Sequence, residues 1–483
     1  MACTTILVGK NASYDGSTMI ARNDDSPSGV FHVKKLIVVT SDKQPKHYKA
    51  VISKATIELP DNPMSYTATP NVDPSEGIWA ASGTNEAGVS MSATETITTN
   101  ERVLAADPLV ELHKENGKTV PGGFGEEDFV VLVLPYIRSA KEGVKRLGEI
   151  LEKYGTYESN GIAFSDENEV WWMETIGGHH YIAHRIQDDC YAIAANQFSL
   201  DHFDFDDAEG KEENYMCSKG LREFVINNDL CLNASLDLKD FNPRLAFGSH
   251  TDADHVYNTP RTWYAVSRLS KNTYKEILDK SPEDDDIPFE LSPDKKITVN
   301  EVKYILASHY QGTPYDPYGK GEDPRKGIYR PIGVNRTAVM CLHQNKKGKE
   351  PIQYLGFACN AFNGFVPFFP RVKKIPAYFS NTTMEVSTSS FYWASRLLGA
   401  LADAHFSSNS IHIERYQEAL DAKTLEVIVR ANREFEKEGK KEILEKANSE
   451  IEKIALEETN KALNNVLFTS SCLMKNGFSR SDK

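Results

Sequence analysis

The sequence lacks the features that mark several classes of protein. Its 483 residues carry 55 lysines and arginines against 69 aspartates and glutamates, which gives a formal net charge of −14. This acidic balance and the absence of a basic stripe argue against a nucleic-acid partner, because nucleic-acid-binding surfaces are basic. No apolar run approaches the ~18 residues of a membrane span, and no basic and apolar leader opens the chain. We therefore expect neither a nucleic-acid nor a membrane partner.

Cysteine is scarce and shows no ligand pattern. The seven cysteines form no Cys-x-x-Cys pair, which argues against a disulfide framework and against a zinc site. His179, His180 and His184 lie close in sequence, but neighbours on an extended strand point to different faces, and no matching motif accompanies them. We predict free thiols in a reducing, cytoplasmic compartment, and neither a metal nor a cofactor.

The order of β-prone and helical segments indicates the fold class. A helical period over Ser139–Tyr154 places Val144, Leu147 and Leu151 on one face. Four predicted strands follow it: Asn160–Ser165, Glu169–Thr175, His180–Arg185 and Tyr191–Ala195. A further helix is predicted near Tyr215–Asn227. Strands, a helix and strands again favour mixed layers, as in an α+β or a four-layer αββα fold.

The C-terminal part of the chain has a different composition. From His412 to Leu467 it consists almost entirely of helix-forming residues with apolar residues at helical spacing. Glu434–Lys453 is so charged that it indicates either a solvated face or an oligomer arm. We predict one catalytic domain over residues 1–405, a helical extension over residues 406–483 packed on it, and a homo-oligomer.

The first 25 residues of the sequence combine a thiol, a cation and an acceptor. Two β-prone runs, Cys3–Val8 and Thr18–Asp25, meet at an Asp-Gly turn, which is a hairpin signal. A hairpin of this length brings Arg22 and Asp25 back beside Cys3.

A thiol near the N-terminus has a possible chemical use. If Cys3 becomes the first residue, its α-amine, with an ordinary pKa of about 8, can act as the base for its own sulfur. A nearby arginine favours the thiolate. The alternative is that Cys3 is a small buried hydrophobic residue in a strand, as most free cysteines are. Residue types alone leave the two alternatives balanced.

Three segments carry a resemblance to a known family. Cys3–Lys10, the turn Tyr14–Ser17 and the run Ala21–Asp25 resemble the start of the cysteine-type bacterial dipeptidases. These are N-terminal-nucleophile hydrolases related to secernins, penicillin V acylase and bile salt hydrolase. The resemblance extends to about residue 400 and is weaker in the C-terminal helices. It implies a four-layer αββα fold, a dipeptide substrate, Cys3 as nucleophile and its freed α-amine as base.

The resemblance also implies roles for other residues. Arg22 would lie beside the sulfur, Asp25 would hydrogen-bond the new N-terminus, and Asn196 would help to build the oxyanion hole. An asparagine at a strand end is also commonly just a turn residue. A last active-site arginine is best matched by Arg268, and Arg261 is the competing candidate, which we also group with the substrate-binding residues.

Two positions depart from the pattern of the relatives. Glu95 stands where bile salt hydrolases carry an oxyanion-hole asparagine, and a carboxylate there would repel an oxyanion. It would attract the ammonium group of a dipeptide, so we interpret Glu95 as a reader of the substrate's N-terminus. Ala2 precedes Cys3, so removal of Met1 alone would not free the amine of Cys3. The resemblance therefore implies cleavage between Ala2 and Cys3.

Three functions remain open at this point. The first is a dipeptidase of broad specificity, which Glu95 and the hydrophilic loops favour. The second is an acylase for a non-peptide amide on the same scaffold, which a large apolar pocket would favour. The third is a secernin-like protein with a binding or regulatory role, which would survive replacement of Cys3.

Overall fold

Two antiparallel β-sheets organise the chain in the computed structural model, which describes residues 3–233 and 238–478. The seven-stranded sheet has the spatial order β16 (Glu290–Leu291), β14 (Tyr191–Ala194), β1 (Thr4–Val8), β2 (Thr18–Asp25), β17 (Thr337–Asn345), β18 (Ile352–Phe357) and β19 (Val366–Phe368). The six-stranded sheet has the order β15 (Tyr215–Cys217), β13 (His180–Ile186), β12 (Val170–Ile176), β11 (Asn160–Ser165), β8 (Ser90–Thr96) and β7 (Ser82–Thr84). Three two-stranded ribbons pair β3 (Ile37–Val39) with β6 (Tyr66–Ala68), β4 (His47–Lys49) with β5 (Thr56–Glu58), and β9 (His113–Glu115) with β10 (Lys118–Val120).

Helices account for much of the remaining described chain, so the molecule is a mixed α+β protein. They are α1 (Glu101–Ala106), α2 (Glu126–Val133), α3 (Ala140–Tyr154), α4 (Phe205–Ala208), α5 (Leu221–Asn227), α6 (Pro243–Phe247), α7 (Asp252–Tyr257), α8 (Thr259–Leu269), α9 (Val299–Leu306), α10 (Ala377–Ser380), α11 (Phe391–Ala404), α12 (Phe406–Glu438) and α13 (Lys441–Cys472). No helix of the described chain is long and apolar enough to cross a membrane.

The predicted N-terminal hairpin is confirmed. β1 and β2 pair antiparallel, with Thr5 opposite Arg22 and Thr4 opposite Asn23. The turn between them contains Gly16 at a φ of +81°, a left-handed conformation that glycine adopts without steric cost. Side chains alternate between the two faces of a strand, so Arg22 shares a face with Thr5, and Asn23 lies on the other face.

The two sheets meet around β2, which packs against β8, β11 and β12. On the far side of the six-stranded sheet lies α3, at the position predicted from its helical period. Its N-terminus is capped by Ser139, whose hydroxyl accepts the Glu142 N–H at 3.1 Å. Val144 and Leu147 are fully buried. The six-stranded sheet is therefore packed between α3 on one face and β2 on the other.

The predicted C-terminal helices are confirmed as α12 and α13. They are separated by Gly439, whose φ of +65° ends the first helix. They run antiparallel, since Asn409 bonds Ser470 near one end and Arg430 bonds Glu450 near the other. Their buried side chains belong to one hydrophobic cluster with those of β17, β18 and α11. The helices are therefore continuous with the core behind the seven-stranded sheet.

Candidate active site

The Cys3 sulfur is held against a fixed guanidinium group. Arg22 Nη1 lies 3.1 Å from Cys3 Sγ, and both side chains are buried. The other Arg22 nitrogens donate to three groups of the facing sheet: Ser92 Oγ at 3.0 Å, the Ala93 carbonyl at 2.8 Å and the Ala81 carbonyl at 3.1 Å. A guanidinium has a rigid fork of donors, so these bonds fix its direction. The Arg22 charge therefore stays beside the sulfur.

The environment of the thiol does not by itself produce a thiolate. Burial raises the pKa of Cys3 to about 12, the positive charge of Arg22 lowers it, and the negative charge of Glu126 raises it further. At neutral pH the thiol is therefore protonated almost completely. A group that accepts its proton is needed before the sulfur can act as a nucleophile.

The Cys3 nitrogen donates to Asn196. Asn196 follows β14 and has a φ of +59°, a conformation that asparagine tolerates better than most residues. Its Oδ1 accepts the Cys3 N–H at 2.9 Å and Arg261 Nη2 at 2.9 Å, and its Nδ2 donates to the Thr96 carbonyl at 2.8 Å. This placement differs from the expected oxyanion-hole donor: the amide nitrogen is engaged by the protein, and the amide oxygen faces the backbone nitrogen of the nucleophile.

Arg261 belongs to this cluster and Arg268 does not. Arg261 is fully buried and donates to the carbonyls of Cys3 and Ala195 and to Thr4 Oγ1, the last at 2.8 Å. Arg268 is exposed and stacks on the Tyr304 ring, with its guanidinium carbon 4.1 Å from the ring centroid. The geometry thus favours Arg261, the competing candidate, over Arg268, which the sequence match preferred. Arg261 and Arg268 are seven residues apart on α8, which is about two turns, or roughly 10 Å along the helix axis.

Glu95 lies in the cluster but turns away from solvent. Its Oε2 accepts the Thr5 hydroxyl at 2.5 Å, and its Oε1 accepts the Asn196 N–H at 2.5 Å. Burial raises the pKa of Glu95 to about 7, and the charge of Arg261 opposes that rise. Because both oxygens bind groups of the protein itself, this geometry does not match a carboxylate that reads a substrate's N-terminus.

Asp25 lies near the cluster on the opposite face of β2 from Arg22. It forms an ion pair with Arg330 and accepts the Thr337 hydroxyl at 2.5 Å. Alternation along the strand explains this placement, since residues three apart point to opposite faces. Asn196, rather than the expected Asp25, is the described acceptor of the Cys3 N–H.

Sequence reasoning missed Glu126, the first residue of α2. Its Oε1 lies 3.7 Å from Arg22 Nη1, and its side chain is 3% exposed. The acidic start of this helix is visible in the sequence, but its position beside Arg22 depends on a contact between residues about a hundred positions apart. The position of Thr5 was easier to predict. Cys3 and Thr5 are two residues apart in an extended segment, so both side chains lie on the face that Arg22 occupies.

Comparisons with known proteins agree on one family. The model of peptidase family C69 matches residues 2–419 of the chain. A protein of Bifidobacterium longum named "Dipeptidase" is 49% identical, and the alignment covers 100% of both chains. "Probable dipeptidase A" of Streptococcus pyogenes serotype M3 is 50% identical, also over 100% of both chains. "Dipeptidase A" of Lactobacillus helveticus is 41% identical over 91% of this chain and 89% of its own.

Proposed function

The chain belongs to peptidase family C69, and from that premise we propose that it is a cysteine-type dipeptidase whose nucleophile is Cys3 Sγ. The observation that carries this assignment is the pair of contacts at one residue. The sulfur of Cys3 lies 3.1 Å from the Arg22 guanidinium, and its nitrogen lies 2.9 Å from Asn196 Oδ1. One residue is thus positioned to supply both a nucleophile and, once freed, an amine.

The α-amine of Cys3 is the base in this proposal. The described hydrogen-bond partners of Cys3 are the guanidinium groups of Arg22 and Arg261 and the side-chain amide of Asn196, none of which accepts a proton at neutral pH. A free α-amine has an ordinary pKa of about 8 and lies close to its own sulfur. Cleavage between Ala2 and Cys3 creates that amine.

The reaction follows from these placements. The amine takes the thiol proton while Sγ forms a bond to the scissile carbonyl carbon, and Arg22 stabilises the negative charge that develops beside the sulfur. The ammonium then protonates the leaving nitrogen as the carbon–nitrogen bond breaks, which leaves a thioester. Water, deprotonated by the same amine, hydrolyses the thioester and restores the thiol. Asn196 Oδ1 orients the amine by accepting one of its hydrogens.

Arg261 and Glu95 act as positioning residues in this scheme. Arg261 fixes the Cys3 carbonyl and Asn196 Oδ1, because both oxygens accept from its guanidinium group. Glu95 fixes the backbone of Asn196 and the side chain of Thr5. The ion pair between Asp25 and Arg330 anchors the end of β2 behind Arg22.

The Glu95→Gln variant separates a positioning role from substrate reading. We expect kcat for dipeptides to fall by roughly ten- to a hundredfold, the scale of one lost charge-assisted hydrogen bond, because the Asn196 loop loosens. KM should change by less than about threefold. Steady-state kinetics measures both. A KM increase of ten- to a hundredfold at unchanged kcat would instead restore the interpretation that Glu95 binds the substrate's ammonium group.

The intact mass of the purified protein tests the nucleophile assignment. We expect a mass that lacks both Met1 and Ala2 in protein that hydrolyses dipeptides, since only that form carries the Cys3 amine. Fully active protein that retains Ala2 would remove the amine as base and contradict the proposed mechanism. Titration of active sites with a thiol reagent shows whether the processed fraction equals the active fraction.

We further propose that the fold is the four-layer αββα arrangement, with residues 1–405 as catalytic domain and residues 406–483 as helical extension. The contacts of β2 with β8 and the packing of α3 on the six-stranded sheet support the layer order. We also propose a cytoplasmic homo-oligomer. Seven free thiols fit a reducing compartment, and Phe468 and Met474, 73% and 60% exposed near the end of α13, fit a surface that another subunit covers.

A further inference from the structure

Glu126 presents a buried carboxylate oxygen at the candidate active site. Its Oε1 accepts the Thr94 N–H at 3.4 Å and lies 3.7 Å from Arg22 Nη1. Its Oε2 is buried and has no hydrogen-bond partner among the described residues. A buried carboxylate oxygen without a donor is costly, and a bound ligand or a catalytic role is one of the explanations for such a group in a native protein. The site therefore has an acceptor that the protein itself leaves unused.

The position of Glu126 relative to the sulfur suggests what the donor is. Arg22 Nη1 lies close to both Cys3 Sγ and Glu126 Oε1. The distance between the sulfur and that carboxylate oxygen therefore cannot exceed the sum of the two distances from Arg22 Nη1. In a peptide cleaved after its first residue, the α-nitrogen is only two bonds from the scissile carbonyl carbon. These distances are short enough for an ammonium group bonded to Glu126 at about 2.8 Å to be compatible with an attack distance of roughly 3–3.5 Å between the sulfur and that carbon.

We propose that Glu126 binds the α-ammonium group of the substrate, and that the enzyme consequently cleaves after the first residue of peptides with a free amino end. This inference rests on the proposed function and names the substrate class of the same site. It transfers to Glu126 the role that the sequence suggested for Glu95, because the oxygens of Glu95 already bind Thr5 and Asn196.

The charges around Glu126 agree with a cationic ligand. Glu158 Oε1 accepts the Glu126 N–H at 2.7 Å, and Asp24 lies close enough to add a further negative charge. Burial raises the pKa of the Glu126 carboxyl to about 7. Asp24 is already paired with Lys34 at 2.8 Å, and Arg22 lies 3.7 Å from Glu126 Oε1. An incoming ammonium group supplies the donor that Glu126 Oε2 lacks. Arg22 then remains available to the sulfur.

This assignment defines which substrates are excluded. An Nα-acetyl dipeptide has no ammonium group and would leave Glu126 buried without a partner, so it should be hydrolysed poorly. Non-peptide amides whose acyl part lacks an α-amine are disfavoured for the same reason. A dipeptide with a C-terminal amide keeps its α-ammonium group, so the contact with Glu126 should not discriminate against it.

The test compares the Glu126→Gln variant with the wild type on matched substrates. We expect kcat/KM for a free dipeptide to fall by roughly ten- to a hundredfold, and the rate on the Nα-acetyl dipeptide to change by less than about threefold. The matched control is Glu127→Gln: Glu127 is the next residue of α2, is also buried, and accepts the Tyr157 hydroxyl at 2.6 Å. This control should keep the wild-type preference for the free amine.

A binding measurement covers the case in which turnover is too slow to compare. Two non-hydrolysable isosteres are used, in which a ketomethylene group replaces the peptide bond, one with and one without the α-amine. Calorimetry should show that the wild type and Glu127→Gln prefer the amine-bearing isostere by at least about tenfold, and that Glu126→Gln loses this preference. Retention of the preference in Glu126→Gln overturns the inference. If Cys3-dependent hydrolysis persists in that case, the dipeptidase assignment still stands.

Discussion

Replacement of Cys3 with alanine is expected to lower kcat/KM for a dipeptide by at least about four orders of magnitude, which is the scale of removing a catalytic nucleophile. The reason is that Cys3 supplies the thiol held against Arg22, so without it the remaining contacts can bind a substrate but cannot form a thioester. Hydrolysis of a free dipeptide, followed by detection of the released amino acids, measures the loss. Intact mass should also show Ala2 retained if the processing step uses the same sulfur.

The matched control for this experiment is Cys359→Ala. Cys359 is another buried free thiol, but it belongs to the hydrophobic cluster of the C-terminal helices. We expect its replacement to leave kcat/KM within about threefold of wild type and to lower stability slightly through lost packing. Comparable losses in both variants would show that a structural disturbance, rather than loss of the nucleophile, explains the Cys3 result. Full activity of Cys3→Ala would favour a binding or regulatory role.

The second large effect is expected at Arg261. Its replacement by methionine removes donors from Asn196 Oδ1, Asn258 Oδ1 and the Ala195 carbonyl, and it leaves these acceptors buried. Breaking a buried charged network of this kind typically costs about 3–5 kcal/mol of folding free energy. We expect a comparable loss of stability in denaturant unfolding, and a fall in kcat of at least about a hundredfold in the folded fraction, because Asn196 and the Cys3 carbonyl are no longer fixed.

Arg268→Met is the control for Arg261, since it makes the same substitution on the same helix. Arg268 is exposed, and its stacking on Tyr304 is worth about 0.5–1 kcal/mol at most. We expect stability to fall by no more than that and kcat/KM to stay within about threefold of wild type. The reverse result, with the larger activity loss at Arg268, would show that the sequence match identified the functional arginine and that the geometry did not.

The candidate site shows where sequence reasoning stops. The spacing of Arg22 from Cys3 predicted that a hairpin brings the two together. The same spacing also predicted Asp25 beside Cys3, but the alternation of side chains along β2 places Asp25 on the other face. The choice between Arg261 and Arg268 was not accessible, because both lie on the same stripe of α8 and only the position of that helix along the sheet separates them. The helix predicted near Tyr215–Asn227 illustrates the same limit. Its first part is the edge strand β15, which pairs Met216 with Ala183, and α5 begins only at Leu221.

The sequence by itself determined the local elements and singled out Cys3 as the candidate nucleophile. Hairpin turn chemistry, the helical period of α3 and the composition of α12 and α13 are properties of neighbouring residues, and the Cys-Thr-Thr start is a motif of one segment. Only the tertiary structure determined which group accepts a hydrogen bond from the Cys3 nitrogen and which groups surround the Arg22 guanidinium. Asn196 reaches Cys3 across 193 positions of sequence, and Glu95 reaches Thr5 across 90. The first contact follows from the pairing of β1 with β14 inside the seven-stranded sheet, and the second from the packing of the two sheets against each other. No local sequence pattern encodes either of these long-range arrangements.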